Sequence, residues 1–237
     1  MLGAPAGGSV LQVGGYCGYS AIRMAWSCPT ATIASLEIDP VHVMVARILI
    51  AFAGLDSAIS VWTGHSKDLI PRLALKKDEP GFLSAVFFDT KGSRYHEELA
   101  ALSDCGALKP GAVVVAENVL KPGAPVFLWQ VVLGKAFATQ ALEVQESDWP
   151  PDDWMSVSAM LPPFSTHTIQ DEEPRPLGRF GAPPPHSSLL ELLTLSDRMR
   201  DNAVKDGRSA FSRWAVRSAQ LKEQLLASGL VATRIKI

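Results

Sequence analysis

Two sets of residues in this sequence have types and spacings that can do chemistry. The first is the turn Gly14-Gly15-Tyr16-Cys17-Gly18 together with Glu37, 23 residues past Gly14. Glycines let a backbone approach a ligand with no Cβ in the way. An acidic residue about 20 positions beyond such a turn is placed to accept hydrogen bonds from ribose hydroxyls. The plain alternative is a turn that needs glycine for its geometry, with Glu37 a solvated carboxylate beside Asp39 at the positive end of a helix. The turn lacks the G-x-G-x-x-G spacing, because Gly14 and Gly18 enclose Gly15, Tyr16 and Cys17. That weakens a dinucleotide, and a nicotinamide oxidoreductase with it, and leaves room for a nucleoside ligand without a pyrophosphate.

The second set is Asp89, Glu117 and Asn118. Two carboxylates and an amide oxygen make a hard-oxygen set suited to Mg²⁺, which keeps several waters or takes ligand oxygens for its remaining positions. No histidine or cysteine joins them, which argues against zinc. The alternative is that these residues merely end buried strands as polar caps. Lys91, two residues after Asp89, would serve as a general base if its pKa were lowered, and otherwise is a solvated loop lysine. His42, His65, His96, His167 and His186 show no metal-ligand spacing and receive no role.

The elements that position these sets read as alternating strands and helices. Val10–Val13 is a short apolar strand running into the glycine turn, and Ser20–Trp26 a helix. Thr32–Leu36 is a second strand. It leads through Glu37 and Pro40, a residue suited to a first helical turn, into a helix over Val41–Ala53 closed by Gly54. Ile59–Thr63, Leu83–Phe88 and Ala112–Ala116 are further strands, interleaved with helices over Ser66–Leu75, with Ser66 as N-cap, and Arg94–Ser103. Pro125–Leu133 is a helix, followed by strands at Phe137–Gln145 and Trp154–Leu161 joined by a loop, hence antiparallel. The pattern predicts an α/β fold with a doubly wound, seven-stranded, mostly parallel sheet. Both residue sets then lie at the carboxyl edge of that sheet, where such folds bind ligands.

Residues 1–161 form this domain, and Pro162–Pro185 reads as an extended proline-rich linker within 162–186. Residues 187–237 form a two-helix appendage, opening on a Ser187/Ser188–Glu191 capping box and broken at Gly207. Its amphipathic helices can dock on the same chain or meet a partner or a second copy. A net charge of −2 gives no electrostatic case for nucleic acid. Three scattered cysteines indicate neither a disulfide framework nor a zinc site and fit a reducing compartment. No signal-peptide pattern stands at the start, and the most apolar stretch, Val43–Leu55, is too short to span a membrane and contains Arg47. The expectation is a cytoplasmic protein acting on a small molecule.

The blocks VLQVGGYCGYSAIRMA, LEIDP, FAGLDSAISVWTGHSKDLIPRL, FFDTKGSRY and LKPGAVVVAENVLKPGAP, with the spacing between them, closely resemble catechol O-methyltransferase over about residues 9–146. The resemblance implies a Rossmann-like class I S-adenosylmethionine-dependent methyltransferase. In that family Mg²⁺ chelates both catechol oxygens, a lysine removes a proton, and the oxygen attacks the methyl sulfonium. By residue match, Gly14, Tyr16 and Ser20 would line the methionine end of the cofactor, with Asp89 beside it. Glu37 would bind ribose, and Ile38 and Ser66 would flank adenine. Asp89, Glu117 and Asn118 would hold the metal, with Asn118 also at the substrate, and Glu143 would be a second-sphere substrate residue.

The departures are specific. Gln12 stands on the cofactor side where the family's first motif has glutamate, and Glu117 stands where the metal site has aspartate. The family's His-Trp-Lys after Asp89 is Thr90-Lys91-Gly92 here, so the lysine position is glycine and Lys91 is one place earlier. The family has helices ahead of the first strand that cover the cofactor, whereas eight residues stand there in this sequence. The C-terminal helices are therefore expected to supply the cover, or the cofactor to be more exposed. Two functions follow: a Mg²⁺-dependent O-methyltransferase of catechol-type substrates, or a catalytically impaired protein of that fold that holds cofactor or a partner.

Overall fold

A computed structural model describes residues 7–90, 92–144, 153–162, 179–206, 208–227 and 232–234. These divide into two compact units, one from Met1–Thr90 and Glu97–Val115, the other from Lys91–His96 and Ala116–Ile237.

The first unit alternates β1 (Ser9–Val13), α1 (Tyr19–Ser27), β2 (Thr32–Glu37), α2 (Pro40–Phe52), β3 (Ile59–Thr63), α3 (Ser66–Lys77) and β4 (Leu83–Phe88). α4 (Tyr95–Asp104) and β5 (Leu108–Ala116) then run to the end of the unit. The strand order is β3-β2-β1-β4-β5, with β1 parallel to both β2 and β4. The chain therefore winds outward from β1 to one side and then restarts on its other side at β4. That reversal leaves a crevice at the carboxyl ends of β1 and β4. α1 and α2 bury small and branched side chains on the sheet: Ala21, Ala25, Ala46 and Ile50 close over Val10, Ile33 and Ile59. Asp39 caps α2, its carboxylate accepting from the Val41 amide at 2.8 Å, and Pro40 fills the first helical position, where no amide partner is needed.

The second unit holds a wide helical turn at Val119–Gly123, then α5 (Pro125–Leu133), β6 (Phe137–Val144) and β7 (Asp153–Met160). The antiparallel pairing expected of the last two strands is present, from Phe137↔Met160 to Val144↔Asp153. Among the described residues the sheet carries the seven expected strands and an eighth, β8 (Ala232–Arg234), which pairs in parallel with β6 at Ala141↔Ala232.

The C-terminal helices, α6 (Ser187–Asp206) and α7 (Arg208–Ala227), pack against each other and on the Val119–Gly123 turn, burying Leu189, Leu221 and Leu225. Their docking is thus on the same chain, within the second unit. The start of α6 is not a Ser/Glu capping box: His186 Nδ1 accepts from the Leu189 amide at 3.2 Å and bonds the Ser188 hydroxyl. The end of the proline-rich stretch is also not free linker. Phe180 stacks edge-on against Phe137, and the Pro183 carbonyl accepts from Trp129 Nε1 at 2.7 Å. Residues 163–178 lie outside the described residues. Among the described residues no helix is long and apolar enough to cross a membrane.

Candidate functional site

In the first unit, the turn after β1 is built from below. Gln12 is fully buried, although it sits in a strand whose other core residues are apolar. Both ends of its amide are used: Nε2 donates to the Gly14 carbonyl at 3.0 Å, and Oε1 accepts from Ser35 Oγ at 3.0 Å. A buried amide with both ends paired is a strut, and Gln12 holds the turn in place from below. Ser35→Ala would leave its carbonyl buried without a donor, and such an orphaned group costs about 1–3 kcal/mol. A chemical melt of that variant should show this loss as a lower midpoint with an unchanged slope.

Above the strut, Gly14 has φ +96° and lies against the Asp89 carbonyl at the end of β4, so the two strand ends approach with no side chain between them. Tyr16 has φ +43°, a left-handed conformation that Glu37 stabilises by accepting from the Tyr16 amide at 2.7 Å. The other Glu37 oxygen accepts from the Asp39 amide at 2.9 Å. One carboxylate thus ties the turn after β1 to the turn after β2. A carboxylate offers about four lone-pair sites, so two of them remain after these bonds. His42, which no metal-ligand spacing marks in the sequence, also stands at this turn. Its Nδ1 stands 3.8 Å from Glu37 Oε1, and its ring meets Tyr16 edge-on at 4.5 Å. Its signal was its place in the first helical turn, three residues past Asp39.

Ile38 is 62% exposed beside this carboxylate, and Ser20 is half-buried in the first turn of α1. Ser66 is not the cap of α3. His65 takes that place, accepting from the Lys67 amide, while the buried Ser66 hydroxyl donates to Glu98 Oε1 at 2.7 Å. Asp89 closes β4, its amide bonded to the Val13 carbonyl, and burial raises its carboxyl pKa above the ordinary aspartate value. A half-buried carboxylate of that kind gains most from a nearby cation.

Glu117 and Asn118 belong to the second unit. The Glu117 carbonyl accepts from Tyr95 Oη at 3.1 Å, and Tyr95 is fully buried against Phe127. Asn118 has φ +55° and donates its Nδ2 to Asp153 Oδ2 at 3.1 Å. Asp153 opens β7 and is buried; burial raises its pKa above the ordinary aspartate value, a rise that the bonds from Asn118, Trp154 and Leu120 and the Lys121 charge only partly offset. Glu143 lies on β6 and is largely buried. Its carboxylate is ion-paired to Lys222 of α7, whose ammonium also lies over the Trp154 ring.

Lys91 lies outside the described residues. Gly92, at the family's lysine position, is buried, and a Cβ there would stand 3.1 Å from the Gly123 carbonyl oxygen. Next to it, Ser93 Oγ donates to Asp197 of α6 at 2.6 Å, so α6 rests on this loop. A side chain at position 92 therefore requires the Gly123 turn to shift.

With this geometry in place, residues 4–131 match the model of a family described as O-methyltransferase. The chain is 42% identical over 123 residues to catechol O-methyltransferase of Sus scrofa, covering 52% of this chain and 66% of that protein. It is 37% identical over 122 residues to catechol O-methyltransferase B of Danio rerio, covering 50% and 45%. The chain thus spans between about half and two thirds of the length of the curated relatives it matches. Among solved structures, an O-methyltransferase from Bacillus cereus in complex with SAH is similar with TM-score 0.57 and 21% identity, over 64% of this chain and 73% of that one. One from Streptomyces achromogenes, in complex with SAM, reaches TM-score 0.56 at 21% identity, over 65% and 73%. These likenesses show the fold.

Proposed function

Because the chain belongs to the O-methyltransferase family, we propose that it transfers the methyl group of S-adenosylmethionine to a hydroxyl of a catechol-type substrate with the help of Mg²⁺. The observation that carries this reading is the Glu37 carboxylate. It bridges the two turns at the carboxyl ends of β1 and β2 beside the switch point, inside the family-matched stretch. Its two remaining lone pairs suit the vicinal hydroxyls of a ribose, and the exposed Ile38 offers adenine an apolar face. Gly14, Tyr16 and Ser20 would line the methionine end, with the backbone of the turn in direct reach.

The donor set Asp89, Glu117 and Asn118 fits Mg²⁺ in chemistry. It supplies hard oxygens, one carboxylate is raised by burial and so favours a cation, and one amide has its N–H already spent on Asp153. Held by these residues, Mg²⁺ would supply the Lewis acidity that lowers the pKa of a substrate hydroxyl. Transfer forms a C–O bond and breaks the sulfonium S–CH₃ bond, and the hydroxyl proton leaves to a base, for which Lys91 is the candidate by its place in the sequence. Gly92, closely packed where the family has its lysine, favours a second reading, in which the fold binds the methyl donor without turnover.

The test is methyl transfer from labelled S-adenosylmethionine to a catechol panel, with and without EDTA, beside calorimetric titration of the methyl donor. Turnover that EDTA abolishes and Mg²⁺ restores is expected. Turnover indifferent to EDTA removes the metal, and binding without turnover across the panel selects the second reading.

A further inference from the structure

Asp153 has more bonds than a strand-end cap needs. It is 3% exposed at the first position of β7. Its Oδ1 accepts from the Leu120 amide at 3.0 Å and from its own chain neighbour, the Trp154 amide, at 2.7 Å. Its Oδ2 accepts from Asn118 Nδ2 at 3.1 Å. The side chain therefore grips both the amide of Asn118 and the backbone two residues further on. Between these grips the chain passes through a left-handed conformation at Asn118, φ +55°, which asparagine adopts more readily than most residues other than glycine.

A carboxylate only accepts hydrogen bonds, so it selects which end of a neighbouring amide turns toward it. We propose that Asp153 is a positioning residue for the cation: by taking the Asn118 N–H, it leaves Asn118 Oδ1 as the atom presented to Mg²⁺. The inference rests on the metal reading above. Without this partner the amide has two nearly isosteric orientations, of which only one puts oxygen toward the ion. An amide nitrogen bearing hydrogens is no ligand for a hard cation. Partners of this outer kind typically contribute 10–100-fold to metal affinity.

The chemistry allows a swap. In Asp153→Asn the new carbonyl oxygen stays with the Leu120 and Trp154 amides, so its NH₂ faces the NH₂ of Asn118. The Asn118 amide must then turn over and offer the ion its nitrogen. Adding Asn118→Asp reverses the fault. The amide at position 153 now donates to one carboxylate oxygen at position 118, and the other oxygen faces the ion. The double variant has the same net charge as the parent, and Asn118→Asp alone, which gives the ion the same carboxylate while leaving Asp153 opposite it, is the control for the added anionic ligand: rescue counts only where the double variant binds more tightly than N118D.

The experiment is Mn²⁺ binding to the full chain, followed by electron paramagnetic resonance and isothermal calorimetry, with a circular-dichroism melt for each protein. D153N is expected to bind Mn²⁺ about 10–100-fold more weakly with little change in melting. N118D/D153N is expected to return to near parental affinity. Parental affinity in D153N, or a double variant no tighter than D153N, overturns the positioning role. Where D153N loses its fold, the swap still decides, because it must restore both the melt and the ion. Failure of the parent protein to bind Mn²⁺ overturns the metal reading itself and this inference with it.

Discussion

Gly14→Ala is expected to abolish S-adenosylmethionine binding and to destabilise the first unit markedly. Two costs act at the same atom. The backbone has φ +96°, where an L side chain is strained by about 1–3 kcal/mol. The added methyl would also stand 2.1 Å from the Asp89 carbonyl oxygen and 2.6 Å from Thr90 Cγ2. The first of these neighbours is backbone at the end of β4, anchored by the Asp89 amide on the Val13 carbonyl, so relief requires the ends of β1 and β4 to part. Overpacking of that kind adds about 1–3 kcal/mol. The parting occurs at the switch point, in the turn that would hold the methyl donor. Gly15→Ala is the milder comparison: there the new methyl would meet the Ser35 hydroxyl at 2.4 Å, and its turning aside costs the bond to Gln12 but moves no backbone. Melting curves and calorimetric titration of both variants check the order, and a Gly14→Ala protein that binds the methyl donor like the parent contradicts it.

The part of this architecture that the sequence made legible is the part written in short-range pattern. β1, its glycine turn and the Glu37 offset stand in one stretch of about 30 residues. There, apolar runs, glycine and an acidic strand end each have one cheap structural meaning. Gln12 resisted that reading because a polar residue in a strand interior looks the same whether it serves a ligand or a buried neighbour. Only the fold brings Ser35 beneath it. Asp153 and Glu98 reach their partners, Asn118 and Ser66, across 35 and 32 residues, and pairings of that range leave no periodicity. His42 has no metal-ligand spacing to mark it, and its place comes from a helical turn that sets its ring edge-on to Tyr16. Proline content indicates extended backbone and says nothing about where it docks, so the contacts of Phe180 and Pro183 were hidden. β8, at three residues, is too short to show a two-residue period. The metal-side residues were legible as chemistry, but how Asn118 is oriented was not.

Glu37→Gln separates a ribose-binding carboxylate from a helix-start carboxylate that merely suits the dipole. The substitution keeps size and shape but turns one accepting oxygen into a donor. In this structure each oxygen faces a backbone amide, Tyr16 N on one side and Asp39 N on the other. Whichever way the new amide turns, its NH₂ meets an N–H, and either the Tyr16 turn or the start of α2 loses its tie. The loss of charge also weakens bonds to the two ribose hydroxyls, and hydrogen bonds to a charged group are worth about 1.5–3 kcal/mol each. A combined loss of about 3 kcal/mol lowers affinity for the methyl donor roughly 100-fold. Adenosine should lose affinity in the same proportion, while Ser35→Ala, which loosens the turn from below without touching the carboxylate, should lose far less. A dipole role alone is worth about 0.3–1 kcal/mol of stability and leaves adenosine affinity where it was. Titrating both variants with adenosine and with the intact methyl donor therefore distinguishes a carboxylate that holds the nucleoside from one that only steadies the turn beneath it.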